Sequence, residues 1–310
     1  MRRKTELDNR QGAALIIAVM VATFAAAVAW HVIARYERWP RLAENAAAKA
    51  QAEELAHSAI EYARAAVYED YYKPAGRRIG DRGPASLEAF PVENGELVIT
   101  IDDEQAKFNV NSLVAGKSVD ARQLATFTRL LRALNLPVSL ADSVVDWLDP
   151  DGAARPNGAE GEFYRAQKPP ILPANAPVAG VGELRRVRWM NEKAWEMLSP
   201  HLTALPAPTR VNVNSAGPVL LTAIIPGLPL PAAKNLVEER ATRRFDTRDE
   251  LINYLPPDLQ VTGEMETAFK SEFYRVNVTA KVGRAMVMAS AALEARDKTL
   301  WPLVLWRRMS

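Results

Sequence analysis

The acidic loop from Asp149 to Glu162 carries the residues whose types and spacing are best suited to chemistry. Asp149, Asp151, Asn157, Glu160 and Glu162 place five carboxylate or amide side chains within 14 residues that also include Gly and Pro. Calcium prefers about six to eight oxygen ligands in a flexible loop, and this stretch can supply them. The composition alone leaves two interpretations open, a calcium site and a solvated acidic loop.

The spacing of these acids matches an EF-hand only in part. Asp149, Asp151 and Glu160 fall at the first, third and twelfth positions of an EF-hand loop. Ala153 and Ala154 stand at the fifth and sixth positions, where a ligand and a glycine are needed. The loop is therefore not an EF-hand, although its oxygens still suit calcium.

Residues 226–229 (Pro-Gly-Leu-Pro), between two predicted helices, form the second candidate site. They resemble a helix-hairpin-helix motif, which binds nucleic-acid phosphates through backbone N–H groups at a helix N-terminus. Pro229 and Pro231 remove two of those donors, and the net charge is only +2. A structural hairpin is therefore favoured, and no nucleic-acid partner is expected.

Known catalytic motifs are absent from the sequence. There is no cysteine, which excludes thiol nucleophiles and thiolate metal sites. None of the three histidines, His31, His57 and His201, lies near Asp or Ser in a known motif. The sequence therefore predicts a protein that is not an enzyme.

An apolar run near the N-terminus is long enough to anchor the chain in a membrane. Ala13–Ala34 has 22 residues without Lys, Arg, Asp or Glu, and a helix of that length spans about 33 Å, the thickness of a bilayer core. The leader before it contains Arg2, Arg3 and Lys4, which favours a cytoplasmic leader. The long domain that follows would then be translocated.

Two interpretations of this run remain open. One is a secretory signal peptide cleaved after Ala27-Val28-Ala29. The other is a prepilin-type leader cut between Gly12 and Ala13, which leaves the apolar helix on the mature protein. The second is favoured because the polar leader ends in Gly at the apolar boundary and the helical pattern continues beyond the run.

The elements after the anchor form a helix, early strands, a helical region and late strands. Helical spacing continues to Tyr68 with a kink or short break expected at Pro40. The predicted inner face is Ala52, Leu55, Ala59, Tyr62, Ala63 and Ala66. Residues 69–94 are read as irregular. The strand at 95–101 is followed by a second at 106–110, and the hairpin at 273–294 is expected to pair with the first. The helical region is therefore an insertion between strands of one sheet.

The motif Asn-Val-Asn-Ser occurs twice, at 109–112 and at 212–215. Each copy follows a strand-like stretch and precedes a helical one. A shared motif at a spacing of 103 residues indicates two related small helical units. Trp147, Trp189 and Trp195 are expected to be core aromatics.

Four segments together resemble the type II secretion minor pseudopilin K, the GspK family. They occur in the order of that family and span nearly the whole chain. The segments are Gly12–Ala13; Asp102–Asn111; Asp146–Asp151 with Asn157–Glu160 and Tyr164; and Val211–Ser215 with Pro-Gly-Leu at 226–228.

The resemblance implies an α+β fold in which a pilin-like N-terminal spine helix lies on a small antiparallel sheet with a large inserted all-α domain of the SAM or helix-hairpin-helix type. The expected divisions are a prepilin leader, the transmembrane half of the spine helix, the amphipathic spine helix with the first strands, the inserted α-domain, and a second helical unit with the closing strands. Their boundaries are 1–12, 13–34, 35–110, 111–205 and 206–310.

The resemblance also implies a function without catalysis. Prepilin peptidase would cut after Gly12, and the mature protein would span the inner membrane once with its C-terminal domain in the periplasm. It would sit at the pseudopilus tip with the minor pseudopilins I and J, contact other pseudopilins, and prime and cap assembly for protein export across the outer membrane. The family binds calcium in its α-domain, which favours the calcium interpretation of the acidic loop.

Ile17 stands at the fifth position after the expected cut. Ordinary pilins carry Glu there, and the K-type subunits share its absence. A carboxylate in the membrane is costly unless it is paired, so an apolar residue suits a subunit with no neighbour above it. The alternative function is an exported helix-hairpin-helix protein for DNA binding or uptake.

Overall fold

Two helices of 35 residues each begin the chain, α1 over Arg2–Tyr36 and α2 over Arg38–Tyr72. Pro40 has no N–H to donate to the carbonyl of Tyr36, four residues earlier, and its ring clashes with that carbonyl in a regular helix. Pro40 lies in the first turn of α2, and the kink or short break expected there falls beside residue 37, which lies outside the described residues.

The computed structural model describes residues 2–36, 38–72, 85–240, 242–259, 265–295 and 301–310. In this described part, one helical segment, Ala13–Ile33, is long and apolar enough to cross a membrane, with a mean hydropathy of 2.4. Gly12 and Ala13 lie inside α1, so the residues of the predicted leader from Arg2 onward and the apolar segment form one continuous helix.

The first strands follow as β1 (Ala85–Val92) and β2 (Gly95–Asp103). The interpretation of residues 69–94 as irregular is wrong at both ends, because α2 continues to Tyr72 and β1 begins at Ala85. The predicted strand at 95–101 is two residues longer than expected, and a 3₁₀ turn at Glu104–Ala106 follows it.

The helical region comes next, with short strands that pair locally. Its strands are β3 (Phe108–Asn109), β4 (Val114–Ala115), β5 (Ser118–Val119), β6 (Leu202–Thr203), β7 (Val211–Asn212) and β8 (Thr267–Ala268). Its helices are α3 (Ala121–Ala133), α4 (Ser139–Leu148), α5 (Gly161–Arg165), α6 (Glu192–Leu198), α7 (Pro218–Ile224), α8 (Leu230–Glu239) and α9 (Arg248–Ile252). The expected strand at 106–110 is reduced to β3, because 3₁₀ turns flank it on both sides.

Three strands close the main sheet, β9 (Phe273–Val282), β10 (Ala285–Glu294) and β11 (Leu303–Met309). The strand order is β1-β2-β9-β10-β11, and every neighbouring pair is antiparallel. Ile99 pairs with Val278, which confirms the expected pairing of the early strand with the late hairpin. β11 is an addition that the sequence reading missed.

Helix α2 packs on one face of this sheet through small side chains. Its buried residues are Ala52, Ala56, Ala59, Ile60, Ala63 and Val67, against Leu97, Ile99, Ile101, Val276, Val278 and Ala280 of the sheet. The predicted face was partly wrong, because Tyr62 is 51% exposed and lies edge-on against Phe90. Small alanines allow the helix backbone to lie close to the strands.

A second core fills the helical region and joins its two halves. Its buried residues include Phe108, Phe127, Leu131, Val144, Trp147, Tyr164, Leu198, Leu220, Leu221, Ile224, Phe245 and Leu251. Trp147 is buried as predicted and Trp195 packs partly buried against this core, but the prediction for Trp189 is wrong, since that side chain is 55% exposed.

The two Asn-Val-Asn-Ser motifs occupy equivalent places. Asn109 ends β3, which pairs in parallel with β6, and Asn212 ends β7, which pairs in parallel with β8. In each motif the first Asn side chain accepts a hydrogen bond from the backbone N–H two residues later, at 3.2 and 3.0 Å. The two copies of the motif therefore share one local geometry.

The end of β2 ties the sheet to both units. The buried Asp103 carboxylate accepts hydrogen bonds from Ser271 at 2.6 Å and from Ser215, and burial raises its pKa. The buried Glu104 carboxylate pairs with Lys107 at 3.1 Å and Arg275 at 3.0 Å. Burial pushes the pKa of Glu104 upward, but these two cations outweigh it, so the pKa lies below its usual value.

Candidate metal centre

Three carboxylates of the acidic loop converge in the structure. Asp149 follows α4 directly and donates its N–H to the carbonyl of Val145 at 2.8 Å, which fixes the start of the loop. Asp151 lies two residues further, and Glu160 occupies the N-cap position of α5. One oxygen from each carboxylate lies within 4.8 Å of the others, a spacing that a single cation can bridge.

Several oxygens at this cluster are buried and unsatisfied. Asp149 is 3% exposed, and its Oδ1, Glu160 Oε1 and Asn175 Oδ1 accept no hydrogen bond from the residues that the structure describes. Leaving a buried acceptor without a donor costs about 1–3 kcal/mol. Buried oxygens without proton donors are the chemistry that a hard divalent cation satisfies, so the residues present fit calcium.

The electrostatics of the three carboxylates also favour a bound cation. Burial first, and then the negative charges of Asp146 and Asp149, raise the pKa of Glu160 to about 7. Burial, with Asp151 as the next cause, also raises the pKa of Asp149. Carboxylates held this close repel one another, and either protons or a cation must offset that charge.

Asp146 supports the loop from inside the fold. It is fully buried, and its Oδ2 accepts a hydrogen bond from the backbone N–H of Arg155 at 3.0 Å. Burial raises the pKa of Asp146 to about 6. A Cβ at Gly158 would overlap the Asp146 carboxylate, so only glycine fits there.

Two other predicted ligands, Asn157 and Glu162, make contacts outside the three-carboxylate group. The Asn157 side chain donates to Asp142 at 2.9 Å, and its carbonyl accepts hydrogen bonds from Ser143 and Trp189. Glu162 is exposed and lines a neighbouring cavity. Glu162 is not part of the three-carboxylate group, and the side-chain oxygen of Asn157 stays a predicted ligand.

Asn175 is the residue that sequence reasoning missed. Its Nδ2 donates to the carbonyl of Asp151 at 3.3 Å, and its N–H donates to the carbonyl of Trp147 at 2.9 Å. It lies 24 residues beyond Asp151, in a separate loop. Spacing within the acidic loop gave no signal for it.

The Pro-Gly-Leu-Pro turn connects α7 and α8 as a helical hairpin. Gly227 adopts φ 83°, which favours glycine. The N–H of Leu228 donates to the carbonyl of Ile225 at 3.2 Å, so it is already used within the turn. Nearby Arg244 contacts Asp246 at 3.1 Å and the carbonyl of Phe269. These internal contacts favour a structural hairpin over a phosphate site.

The sequence of this chain matches family models and named proteins. Two models, both described as type II secretion system (T2SS), protein K, match residues 106–207 and 211–269. A type II secretion system protein K from Klebsiella pneumoniae is 33% identical over 68% of this chain and 69% of that protein. One from Aeromonas hydrophila is 26% identical over 97% of this chain and 98% of that protein.

The fold matches a solved structure as well. A chain in the crystal structure of the GspK-GspI-GspJ complex from the enterotoxigenic Escherichia coli type 2 secretion system superposes with a TM-score of 0.69. The match covers 84% of this chain and 96% of that chain at 21% identity. At that identity the likeness establishes a shared fold of mixed helix and antiparallel sheet.

Proposed function

This chain belongs to the type II secretion system protein K family, and from that premise we propose that it is a non-catalytic minor pseudopilin at the pseudopilus tip. There it primes and caps assembly for protein export across the outer membrane. The observation that carries this proposal is an N-terminal helix, apolar and exposed over Ala13–Ile33, followed by a second helix, α2, which packs on a sheet that is joined to a bulky helical domain.

The placement of the helical domain supports a capping role. The β1–β2 and β9–β10 turns, at Asn94 and Gly283, lie beside Glu44 and Gln51 in the first half of α2. Strands β2 and β9 meet the helical domain at their opposite ends, near Asp103 and Phe273, about 26 Å away for eight residues of strand. The domain therefore lies at the end of the sheet remote from the apolar segment, where it would block a subunit from docking above.

We propose that prepilin peptidase cuts between Gly12 and Ala13 and leaves the single-pass anchor in the inner membrane, with the C-terminal domain in the periplasm. Ile17 then becomes the fifth mature residue. N-terminal sequencing of the protein from host membranes is expected to read Ala13 first. A mature chain beginning at Trp30 would instead show signal-peptide cleavage and overturn the anchor.

The proposed partners are the minor pseudopilins I and J, with other pseudopilins below them. Full-length chain co-expressed with I and J and extracted in mild detergent is expected to purify as a ternary complex. Recovery of the chain without either subunit would contradict the tip assignment. A salt-dependent gel shift on duplex DNA would instead support the DNA-uptake alternative, which the family membership disfavours.

We further propose that Asp149, Asp151 and Glu160 hold calcium, with Asn175 as an additional oxygen donor. Bound there, the cation would offset the repulsion of the carboxylates and fix the loop after α4. Calorimetry on metal-free full-length protein in detergent is expected to show calcium uptake that Glu160→Gln and Asp149→Asn abolish. Glu162→Gln is the matched control and should retain it. Uptake unchanged in all three variants would exclude this ligand set.

A further inference from the structure

The helical domain between β2 and β9 is joined to the main sheet through two neighbouring strands. The chain leaves β2 at Asp103 and enters β9 at Phe273, and Asp103 pairs with Tyr274 in the ladder. Both connections therefore lie side by side at one end of the sheet. Such a neck is a natural hinge, because a few residues at the ends of elements can absorb the backbone changes of a domain rotation. Further contacts must fix the direction in which the domain points.

Apolar packing across this neck is limited. Among the described residues, the core beneath α2 and the core of the helical domain share no side chain. A crevice of about 340 Å³ opens between the two parts, lined by Leu205 and Pro206 of the helical domain and by Leu293 and Trp306 of the sheet. Walls that face a gap lack the close packing that makes a protein core stiff. The crevice therefore leaves the domain room to turn.

Polar contacts span the neck, and several of them end on Asp103. Its buried carboxylate accepts hydrogen bonds from Ser271 at 2.6 Å, from Asn212 at 3.2 Å and from Ser215. The backbone N–H of Gln105 donates to its Oδ1 at 2.8 Å. Hydrogen bonds to a charged acceptor are short and strong. Asp103 therefore fixes the second helical unit to the end of β2.

Glu104, the next residue, reaches the first helical unit. Its buried carboxylate accepts a hydrogen bond from the hydroxyl of Thr203 in β6 and pairs with Arg275 of β9 at 3.0 Å. The side chain of Gln105 adds a contact with the other connection, because its Oε1 accepts a hydrogen bond from the N–H of Glu272 at 2.6 Å. Asp103 and Glu104 therefore hold one helical unit each.

We propose that Asp103 and Glu104 form a latch that holds the helical domain in one orientation on the sheet. When both carboxylates lose their charge, the domain turns about the neck and the crevice changes in width, while the two cores stay packed. The proposed capping role requires a bulky domain, and the latch adds a fixed direction for that domain. These two side chains are therefore positioning residues for the capping surface.

The test measures the distance between two spin labels on the full-length chain in detergent micelles. The chain has no cysteine, so Lys281→Cys on β9 and Lys234→Cys on α8 define the two labelled sites, and both side chains are exposed. A single narrow distance distribution is expected. Adding Asp103→Asn and Glu104→Gln should broaden that distribution about twofold, because neutral amides replace the charged acceptors. A broad distribution before these changes, or an unchanged width after them, would overturn the latch.

Two controls separate turning from unfolding. Labels at Lys193→Cys on α6 and Lys234→Cys on α8 both lie in the helical domain, and their distance distribution should stay narrow when the latch is changed. Asp102→Asn is the matched variant, because Asp102 accepts a hydrogen bond from Asn277 within the sheet at 3.0 Å. It should leave the distance between the Lys281 and Lys234 sites unchanged. Equal broadening by Asp102→Asn, or broadening within the helical domain, would contradict a role of the latch in orientation.

Discussion

Asn111 and Asn214 hold the same position in the two helical units. The side-chain oxygen of Asn111 accepts a hydrogen bond from the N–H of Val178 at 2.9 Å, and that of Asn214 accepts one from Phe245 at 3.0 Å. Each Nδ2 donates to the carbonyl of that same residue and to a second carbonyl, of Leu205 or Phe269. One buried amide therefore satisfies three backbone groups in each unit.

The first prediction follows from this amide. Asn111→Ala is expected to lower the free energy of unfolding by about 3 kcal/mol or more, because three buried backbone groups lose their partner. Asn214→Ala should have a similar effect. Urea unfolding of the full-length protein in detergent measures both, with the exposed Asn45→Ala as control. A loss no greater than that of the control would contradict the assigned role.

The second prediction concerns Gly158. Gly158→Ala is expected to displace the Asp146 carboxylate, lower the melting temperature and weaken calcium uptake, because the new Cβ overlaps that carboxylate. Gly152→Ala lies in the same loop, where a Cβ meets nothing within 4 Å, and should leave both unchanged. Thermal melts and calorimetry of the two variants test the difference. Equal behaviour would show that the loop does not depend on this close approach.

The third prediction is a pH dependence of the metal-free protein. The pKa of Glu160 is raised to about 7, so the native state binds more protons than the unfolded state above about pH 4.5. Stability from this group is therefore lost as the pH rises from about 5 to about 7. Added calcium should reduce that loss, because the cation replaces the proton. Urea midpoints at several pH values, with and without calcium, measure it.

The control for that experiment is Glu160→Gln. Burial lowers the pKa of His201, which makes the unfolded state bind more protons and gives the opposite slope over an overlapping range. Subtracting the variant's free energy of unfolding from that of the parent at each pH removes the contribution of His201, which both proteins contain. If this difference in free energy of unfolding does not change from about pH 5 to about pH 7, the raised pKa of Glu160 is contradicted.

The fourth prediction tests the packing of the spine on the sheet. Ala63 is fully buried between α2 and the strands. Ala63→Leu is expected to cost about 1–3 kcal/mol, since added methyl groups force the helix away from the sheet. Ala46→Leu, on an exposed part of the same helix, should be nearly neutral. Chemical unfolding compares them, and equal stability would mean that the contact is loose.

Helix caps and alternating strands were predicted correctly where neighbouring residues in the sequence determine them. Asp120 was expected to cap a helix, and its carboxylate accepts hydrogen bonds from the N–H groups of Arg122 and Gln123. The alternation at 95–101 predicted a strand of the observed sheet. Strands β1 and β11 were missed because each is an edge strand, with Pro91 in the first and two arginines in the second, and its pairing is set by distant neighbours.

The candidate site was predictable only where its residues adjoin in sequence. Asp149, Asp151 and Glu160 stood out by spacing, and the structure brings them together. Asn157 lies in the same loop, and its side-chain N–H donates to Asp142. Asn175 belongs to another loop, and the hydrogen bond from its N–H to the carbonyl of Trp147 positions it. That contact depends on the tertiary fold and could not be predicted from local sequence.

The pairing of β2 with β9 also has a consequence for the order in which the parts of the chain are expected to fold. Asp103 and Tyr274 face each other in the ladder although a whole helical domain separates them in sequence. If the segment between them were unfolded, bringing the two strands together would cost a large loop-closure entropy. A helical domain that folds first instead presents both of its ends side by side, so we expect β2 and β9 to pair after the inserted domain has folded.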